Sequence, residues 1–175
     1  MTEVCPQVTV ECAACGHTYV AVPEGEASCT QCGRVYSWAA VRSADSSDID
    51  AVLSLWSSTR SAFATTKDSH EVVDRLLSVD PSSLLVAEVD GRVVGALVAA
   101  FDGWRGHLYR LAVLPEHRRR GIGLQLVREG ERRLRARGAP KIIAPVGRGD
   151  EVAEALWSAA GYELEGTTAR WQRIL

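Results

Sequence analysis

HLYRLAVLPEHRRRGIGLQL, residues 107–126, is the stretch on which the reading of this chain turns. LYRLAV reads as a strand, LPEH as a short turn, RRRGIG as a basic glycine loop, and the residues after it as a helix. Gly121 and Gly123, one residue apart, let backbone N–H groups point inward with no Cβ in the way. Those amides open a helix, where unpaired donors and the helix dipole favour an anion. Arg118, Arg119 and Arg120 add charge and forked donors that match phosphate oxygens. A glycine loop beside a solvated arginine run is the plainer reading. The strand before and the helix after favour a pyrophosphate cradle.

Outward from this loop the chain alternates strands and helices. SLLVAEVDGRVVGALVAAFD is a hairpin, two β-rich runs meeting at Asp90-Gly91. DGWRG then turns into the strand of residues 107–113, so three antiparallel strands lead to the loop. The helix after it, about 123–137, puts Ile122, Leu126, Gly130 and Leu134 on one face. Gly138 and Pro140 stop it. KIIAPV is a buried-type strand. Asp150 caps the helix EVAEALWSAA, which Gly161 ends, and residues 162–164 and 169–174 are weaker strands closing the sheet. Upstream, residues 38–42 are a strand. A helix follows with Ser47 or Asp48 as its N-cap and with Ile49, Val52, Leu53 and Trp56 facing the core. A second helix spans residues 69–78, carries Val72, Val73, Leu76 and Leu77, and ends at Pro81. Residues 57–68 between the two helices read as a loop. The order β-α-α-β-β-β-α-β-α-β makes residues 38–175 one α/β domain with a mixed sheet.

Residues 1–37 form a separate module. Cys12-Ala-Ala-Cys15-Gly16 and Cys29-Thr-Gln-Cys32-Gly33 are two knuckles of one pattern. Their spacing is that of a tetrahedral four-thiolate zinc site. TYVAV and a PEGE turn lie between them, so each knuckle caps a short hairpin, as in a zinc ribbon. One such pair alone could be a redox pair; two with matching glycines favour metal. The segment has too little apolar mass to fold unaided, a situation in which a metal contributes the folding energy. Four thiolates close the coordination shell, so the expected zinc is structural. Cys5 and His17 are spare, and His17 reads as a surface residue.

The chain has 175 residues, 46% of them apolar, with a net charge of −2. That is enough for one well-buried domain and a small appendage. No global field draws it to nucleic acid or membrane. Between residues 104 and 138, ten arginines stand against three glutamates, half of the 20 Lys+Arg of the chain. A basic band on an otherwise acidic protein suits a polyanionic small ligand better than a long polymer. No apolar run approaches the ~20 residues of a membrane helix. The N-terminus has neither the basic nor the apolar region of a signal peptide. Five cysteines without a disulfide pattern fit a cytoplasmic chain.

The loop Arg118 to Gly123, of the form (R/Q)-x-x-G-x-(G/A), follows the strand end Leu111-Ala112-Val113 and resembles the acetyl-CoA site of the GNAT N-acetyltransferases. The element order is similar to that family over about 135 residues. DEVAEALWSAAGY also looks like the family's N-x-x-A-x-x-F-Y-x-x-x-G-F helix, matching at Ala153, Gly161 and Tyr162. Two positions depart from it: Asp150 stands at the family's asparagine, and Trp157 at the tyrosine that often protonates the departing thiolate. An indole N–H is far too weak an acid for that task.

The resemblance implies an acyl-CoA N-acyltransferase-like fold and direct acetyl transfer from acetyl-CoA to a primary amine in a ternary complex. Leu111, Ala112 and Val113 would pair with the pantetheine arm, and the amides of Arg119, Arg120, Gly121 and Gly123, with Arg118 and Ile122 in the same loop, would hold the pyrophosphate. Asp150 and Trp157 would line the same site. His107, where arylalkylamine members read HLHALAV, is the candidate base, and Glu88 and Glu116 are carboxylate alternatives. Tyr109, Tyr162 and Tyr36 are the phenols to consider as acid. A small-molecule amine and a protein amine are both open as acceptor. The other reading is a non-catalytic CoA-binding module that docks a protein partner through the ribbon. Few basic residues in the ribbon argue against nucleic acid. A homodimer is compatible with the sequence, which names no oligomeric state.

Overall fold

The computed structural model describes residues 8–11, 17–21, 26–33, 35–60 and 67–166. Cys12, Cys15 and the strand expected at residues 169–174 lie outside the described residues. Two small antiparallel pairs come first: β1 (Val8–Glu11) with β2 (Thr18–Ala21), and β3 (Glu26–Ser28) with β4 (Val35–Ser37). In sequence, Cys12-Ala-Ala-Cys15-Gly16 lies between β1 and β2, outside the described residues, and Cys29-Thr-Gln-Cys32-Gly33 lies between β3 and β4.

The larger unit is built on a five-stranded mixed sheet in spatial order β5 (Ala40–Ser43), β6 (Leu84–Val89), β7 (Arg92–Phe101), β8 (Gly106–Val113), β9 (Ile142–Ile143). All neighbours pair antiparallel except β8 and β9, which are parallel. Helices α1 (Ile49–Ser58) and α2 (His70–Val79) precede β6; α3 (Ile122–Ala136) follows β8; α4 (Glu151–Ala159) follows β9. Both faces of the sheet are covered, so β6 and β7 read as near-continuous apolar runs. Leu84, Val86 and Val98 pack with Ile49, Val52, Trp56 and Val73 on the α1–α2 side. Leu85, Leu97 and Leu108 pack with Ile122, Leu126 and Leu134 on the α3 side. The small residue Gly130 lets α3 lie close: a Cβ there would stand 2.9 Å from Leu108 Cδ2 and 3.2 Å from Leu97 Cδ2.

Several local details differ from the expectation. Asp48 is the N-cap of α1, as expected, but its side chain makes no cap hydrogen bond to that helix. A 3₁₀ turn, Ser46–Asp48, leads into the helix, and Asp45 caps that turn. Asp45 accepts from Ser47 N, while Asp48 Oδ2 accepts from Asp45 N at 2.9 Å, a reciprocal box that starts one turn early. KIIAPV yields only the two-residue strand β9. Pro145 has no N–H to give a ladder, and the backbone peels away from β8 after Ile143. Residues 162–164 are not a strand. Tyr162 N instead donates to Trp157 O at 2.9 Å, closing the end of α4.

Candidate active site

β9 pairs with β8 only at Gly106 and His107, so the rest of the β8 edge faces an opening between the two strands. A cleft of about 840 Å³ occupies it, walled by Leu111, Ala112 and Val113 of β8, by the glycine loop and the start of α3, and by α4. At its floor, Arg119 (φ 62°) and Gly121 (φ 84°) are both left-handed. Residues that alternate between hands turn successive N–H groups to one side, forming an anion-binding concavity. Gly121 is the N-cap of α3 and provides no side-chain acceptor. The first intrahelical bond, Gln125 N to Gly121 O at 3.0 Å, leaves the donors before it for whatever occupies the cleft. Arg118 Nε donates to Val113 O at 2.9 Å and braces the loop against the strand end.

Gly123 has a different reason from the one read in the sequence. A Cβ there would stand 2.7 Å from Leu156 Cδ1, so its missing side chain permits the close approach of α3 to α4. Across the cleft, Asp150 caps α4 by accepting from Ala153 N at 3.1 Å. Trp157 is buried in the wall and meets the ring of Tyr162 edge-on, centroids 4.9 Å apart.

β8 is irregular at its middle. Ala96 faces Ala112 and Val98 faces Tyr109, so two steps on β7 span three on β8. The extra residue sits at Arg110, which is left-handed at φ 58°. Such a bulge interrupts the ladder and leaves local backbone groups available. Trp56 Nε1 donates to Arg110 O at 3.1 Å, and the Arg110 guanidinium lies over the Trp56 ring. Arg110 also pairs with Asp68, which Arg60 reaches at 3.3 Å.

Ten of the residues singled out in the sequence share the cleft: Leu111, Ala112, Val113, Arg118, Arg119, Gly121, Ile122, Gly123, Asp150 and Trp157. Arg120, half-buried, does not line it. His107 and Tyr109 do not line it either; they stand opposite Ala100 and Val98, whose side chains belong to the α1–α2 core, and so share that face of β8. Glu88 lies two strands away, where it accepts from Arg42 Nε and Nη2 at 3.1 and 3.0 Å. Arg42 also grips Asp48, whose carboxyl that guanidinium holds below the usual range. This is an ion cluster of the sheet edge, away from the cleft. The Tyr162 hydroxyl is buried with no hydrogen-bond partner among the described residues, and burial, followed by the neighbouring Glu131 carboxylate, pushes the phenol well up. Burial also raises Tyr109.

The sequence reading missed Thr59 and His117, which both line the cleft. The Nδ1 of His117 is buried and unpartnered among the described residues. Its place beside Arg118 was a usable signal; Thr59 had none, because it reaches β8 from the far end of α1.

Residues 49–162 match the Acetyltransferase (GNAT) family. This chain belongs to that family. A Pectobacterium atrosepticum protein named as an acetyltransferase is 35% identical over 128 residues, 73% of this chain and 90% of the relative. The ribosomal-protein-alanine N-acetyltransferase of Brucella melitensis is 25% identical with a TM-score of 0.61, over 71% of this chain and 84% of that one. The structure of AAC(6')-Iy in complex with the bisubstrate analogue CoA-S-monomethyl-acetylneamine shares the fold, with a TM-score of 0.64, 17% identity and coverage of 79% and 100%. The chain is thus an acetyltransferase on a mixed α/β GNAT fold, and acetyl-CoA is the family's acyl donor. The residues present fit that donor: a left-handed nest at an uncapped helix end suits a pyrophosphate, and an unpaired strand edge suits an amide-bearing arm. Among the described residues, no helix is long and apolar enough to cross a membrane.

Proposed function

We propose that this acetyltransferase moves the acetyl group of acetyl-CoA directly to a primary amine. The observation that carries this is the splay of β8 from β9 directly above the Arg118–Gly123 nest. The donor lies in the cleft on the α3–α4 side, with its pyrophosphate on the amides of Arg119, Gly121 and Gly123 and its arm along Leu111 and Val113. The acceptor approaches from the α1–α2 side, where His107 and Tyr109 stand and where a second cavity of about 270 Å³ opens at Leu53, Ser57, Arg60 and Asp68. The two sides meet at the bulge, where a backbone N–H of the strand polarises the thioester carbonyl. The amine nitrogen forms the new bond to the carbonyl carbon as the carbon–sulfur bond breaks. His107 takes the proton that an ammonium acceptor must lose. Trp157 packs, and the thiolate leaves without a phenol from α4.

The test is an acceptor screen with acetyl-CoA, following release of free thiol. We expect saturable turnover with at least one amine class and saturable CoA binding. CoA binding that fails to saturate would sink the reading. Aminoglycosides and the alanine of a ribosomal protein are the first acceptors to try, since acetyltransferases of both names share this fold.

The N-terminal hairpins form, in this proposal, a four-cysteine zinc ribbon covering residues 1–37 ahead of the transferase domain at 38–175. Support comes from His17 Nε2, which lies 3.0 Å from Thr30 Oγ1 and joins the two knuckle regions. Gly33, left-handed at φ 70°, donates to Cys29 O at 2.9 Å, the tight turn a knuckle needs. Among the described residues no three metal-ligating side chains converge, and two of the four cysteines lie outside them. The ribbon's surface is then available to a protein partner, while the transferase works in the cytoplasm.

A further inference from the structure

The turn that joins β7 to β8, residues 102–105, carries a carboxylate with two distinct jobs. Asp102 Oδ1 accepts from Trp104 N at 2.8 Å and from Arg105 N at 2.5 Å, which locks the turn. Its other oxygen, Oδ2, lies 3.2 Å from Nε2 of His107, the second residue of β8. We propose that Asp102 is a positioning residue for acetyl transfer, holding His107 in the Nε2–H tautomer so that Nδ1 carries the lone pair that accepts the acceptor's proton. The proposal rests on the reading of His107 as the base.

The tautomer follows from the donor inventory. The amides of Arg105 and Trp104 hold the Asp102 carboxyl at about 2, so it is ionised at any working pH. An ionised carboxylate only accepts hydrogen bonds. A contact between it and a neutral imidazole therefore requires the proton to be on the facing nitrogen, Nε2. Nδ1 is left as the basic atom. The hydrogen bond also fixes the ring, whose side chain is about one-third exposed and would otherwise sample other rotamers. Nothing else in the described hairpin competes for Oδ2, since Oδ1 takes both amides. The Arg105 guanidinium lies over the Trp104 ring instead.

Distance decides how the proton travels. Four strand steps separate His107 from Leu111, roughly 13 Å along β8. A base at that distance receives the proton through water on the α1–α2 face. The balance is simple: an ammonium loses one proton through water to Nδ1, the neutral amine attacks, and the imidazolium later returns its proton to solvent.

The experiment uses the full-length protein and the substitution Asp102→Asn. Asn keeps Oδ1 for both turn amides but places an NH₂ donor where Oδ2 was, so the facing ring nitrogen must become an acceptor. Nitrogen NMR of the imidazole at about pH 8.5, where an ordinary histidine is neutral, reads the tautomer directly. We expect Nε2–H in the parent and Nδ1–H in Asp102→Asn. We expect kcat to fall on the order of 10²-fold, the usual worth of a general base, with KM for acetyl-CoA unchanged. His107→Gln should fall equally, and the double variant no further. Asp102→Ser, which retains a short turn acceptor but cannot reach the ring, should also lose rate only while His107 is present. A parent ring protonated at Nδ1, or a loss from Asp102→Asn that persists in the His107→Gln background, overturns the inference while leaving His107 as base. A His107→Gln variant with unchanged kcat overturns the underlying reading as well.

Discussion

Gly121 and Gly130 must be small for different reasons, and single substitutions separate them. Gly121 is left-handed at φ 84° and turns the loop's amides into the floor of the cleft. An alanine there carries the strain of an L-residue in that region, about 1–2 kcal/mol. If the strain is released by reshaping the nest, Gly121→Ala should raise KM for acetyl-CoA by roughly 5- to 30-fold, the equivalent of that energy. Gly130 lies on the sheet side of α3, against Leu108 and Leu97. Gly130→Ala overpacks that contact and should cost about 1–3 kcal/mol by urea unfolding. The folded fraction should keep its KM, because the contact is remote from the loop. Trp157 is a wall residue in the same sense as Gly123's neighbour Leu156: it fills space between α4 and the cleft. Trp157→Ala should cost about 3–5 kcal/mol. Trp157→Tyr tests whether a phenol in that wall raises kcat, the outcome expected if thiolate protonation limits turnover.

At the scale of elements, what the sequence shows and what it hides divide along sequence separation. The hairpin at Asp90-Gly91, the helix starts at Ser69 and Asp150, and the glycine loop depend on neighbours within a few residues, and all are where the local pattern puts them. The bulge at Arg110 was not legible. No glycine marks it; an arginine takes the left-handed position because Trp56 of α1 binds its carbonyl and Asp68 its side chain, contacts 54 and 42 residues away. Thr59 in the cleft and the capture of Glu88 by Arg42 were hidden for the same reason. Trp56→Phe keeps the ring and deletes only the N–H to Arg110 O. It should cost about 1 kcal/mol, one hydrogen bond, and lower kcat more than it changes KM for acetyl-CoA.

The arginine band on α3 is another element property: it is mostly paired internally. Glu129 accepts from Arg132 and Arg133, and those guanidiniums, Arg132 first, hold its carboxyl at about 2 against an ordinary 4.5. A carboxylate lowered by folding stabilises the protein above its unfolded value, and that stability is lost as pH falls through the folded value. Urea midpoints should therefore drop between pH 4.5 and about 2, and Glu129→Gln should flatten that part of the profile. A profile identical in the variant would show that the pair contributes nothing to folding.

For the molecule as a whole, the question is how the proposed ribbon communicates with the cleft. The chain leaves β4 and reaches β5 through Ala39, which is buried in the α3 core and whose N–H donates to Gln125 Oε1 at 3.2 Å. Gln125 sits one turn into the helix whose first amides floor the cleft. The joint is therefore local, on the side of α3 facing β5. In the proposed ribbon, closure of a zinc site would supply the folding energy, whereas the transferase sheet has two apolar faces of its own. The two stabilities should separate. Cys29→Ser, in the full chain, should reduce bound zinc from one equivalent to none, read by metal analysis after dialysis. Backbone amides of β1 to β4 should then exchange freely with solvent. KM for acetyl-CoA should stay within about twofold, because none of the described residues before β5 lines the cleft. A parent protein that binds no zinc would remove the ribbon from the proposal. A variant that loses zinc and acetyl-CoA affinity together would instead show that the metal holds Ala39 in place and, through Gln125, the start of α3.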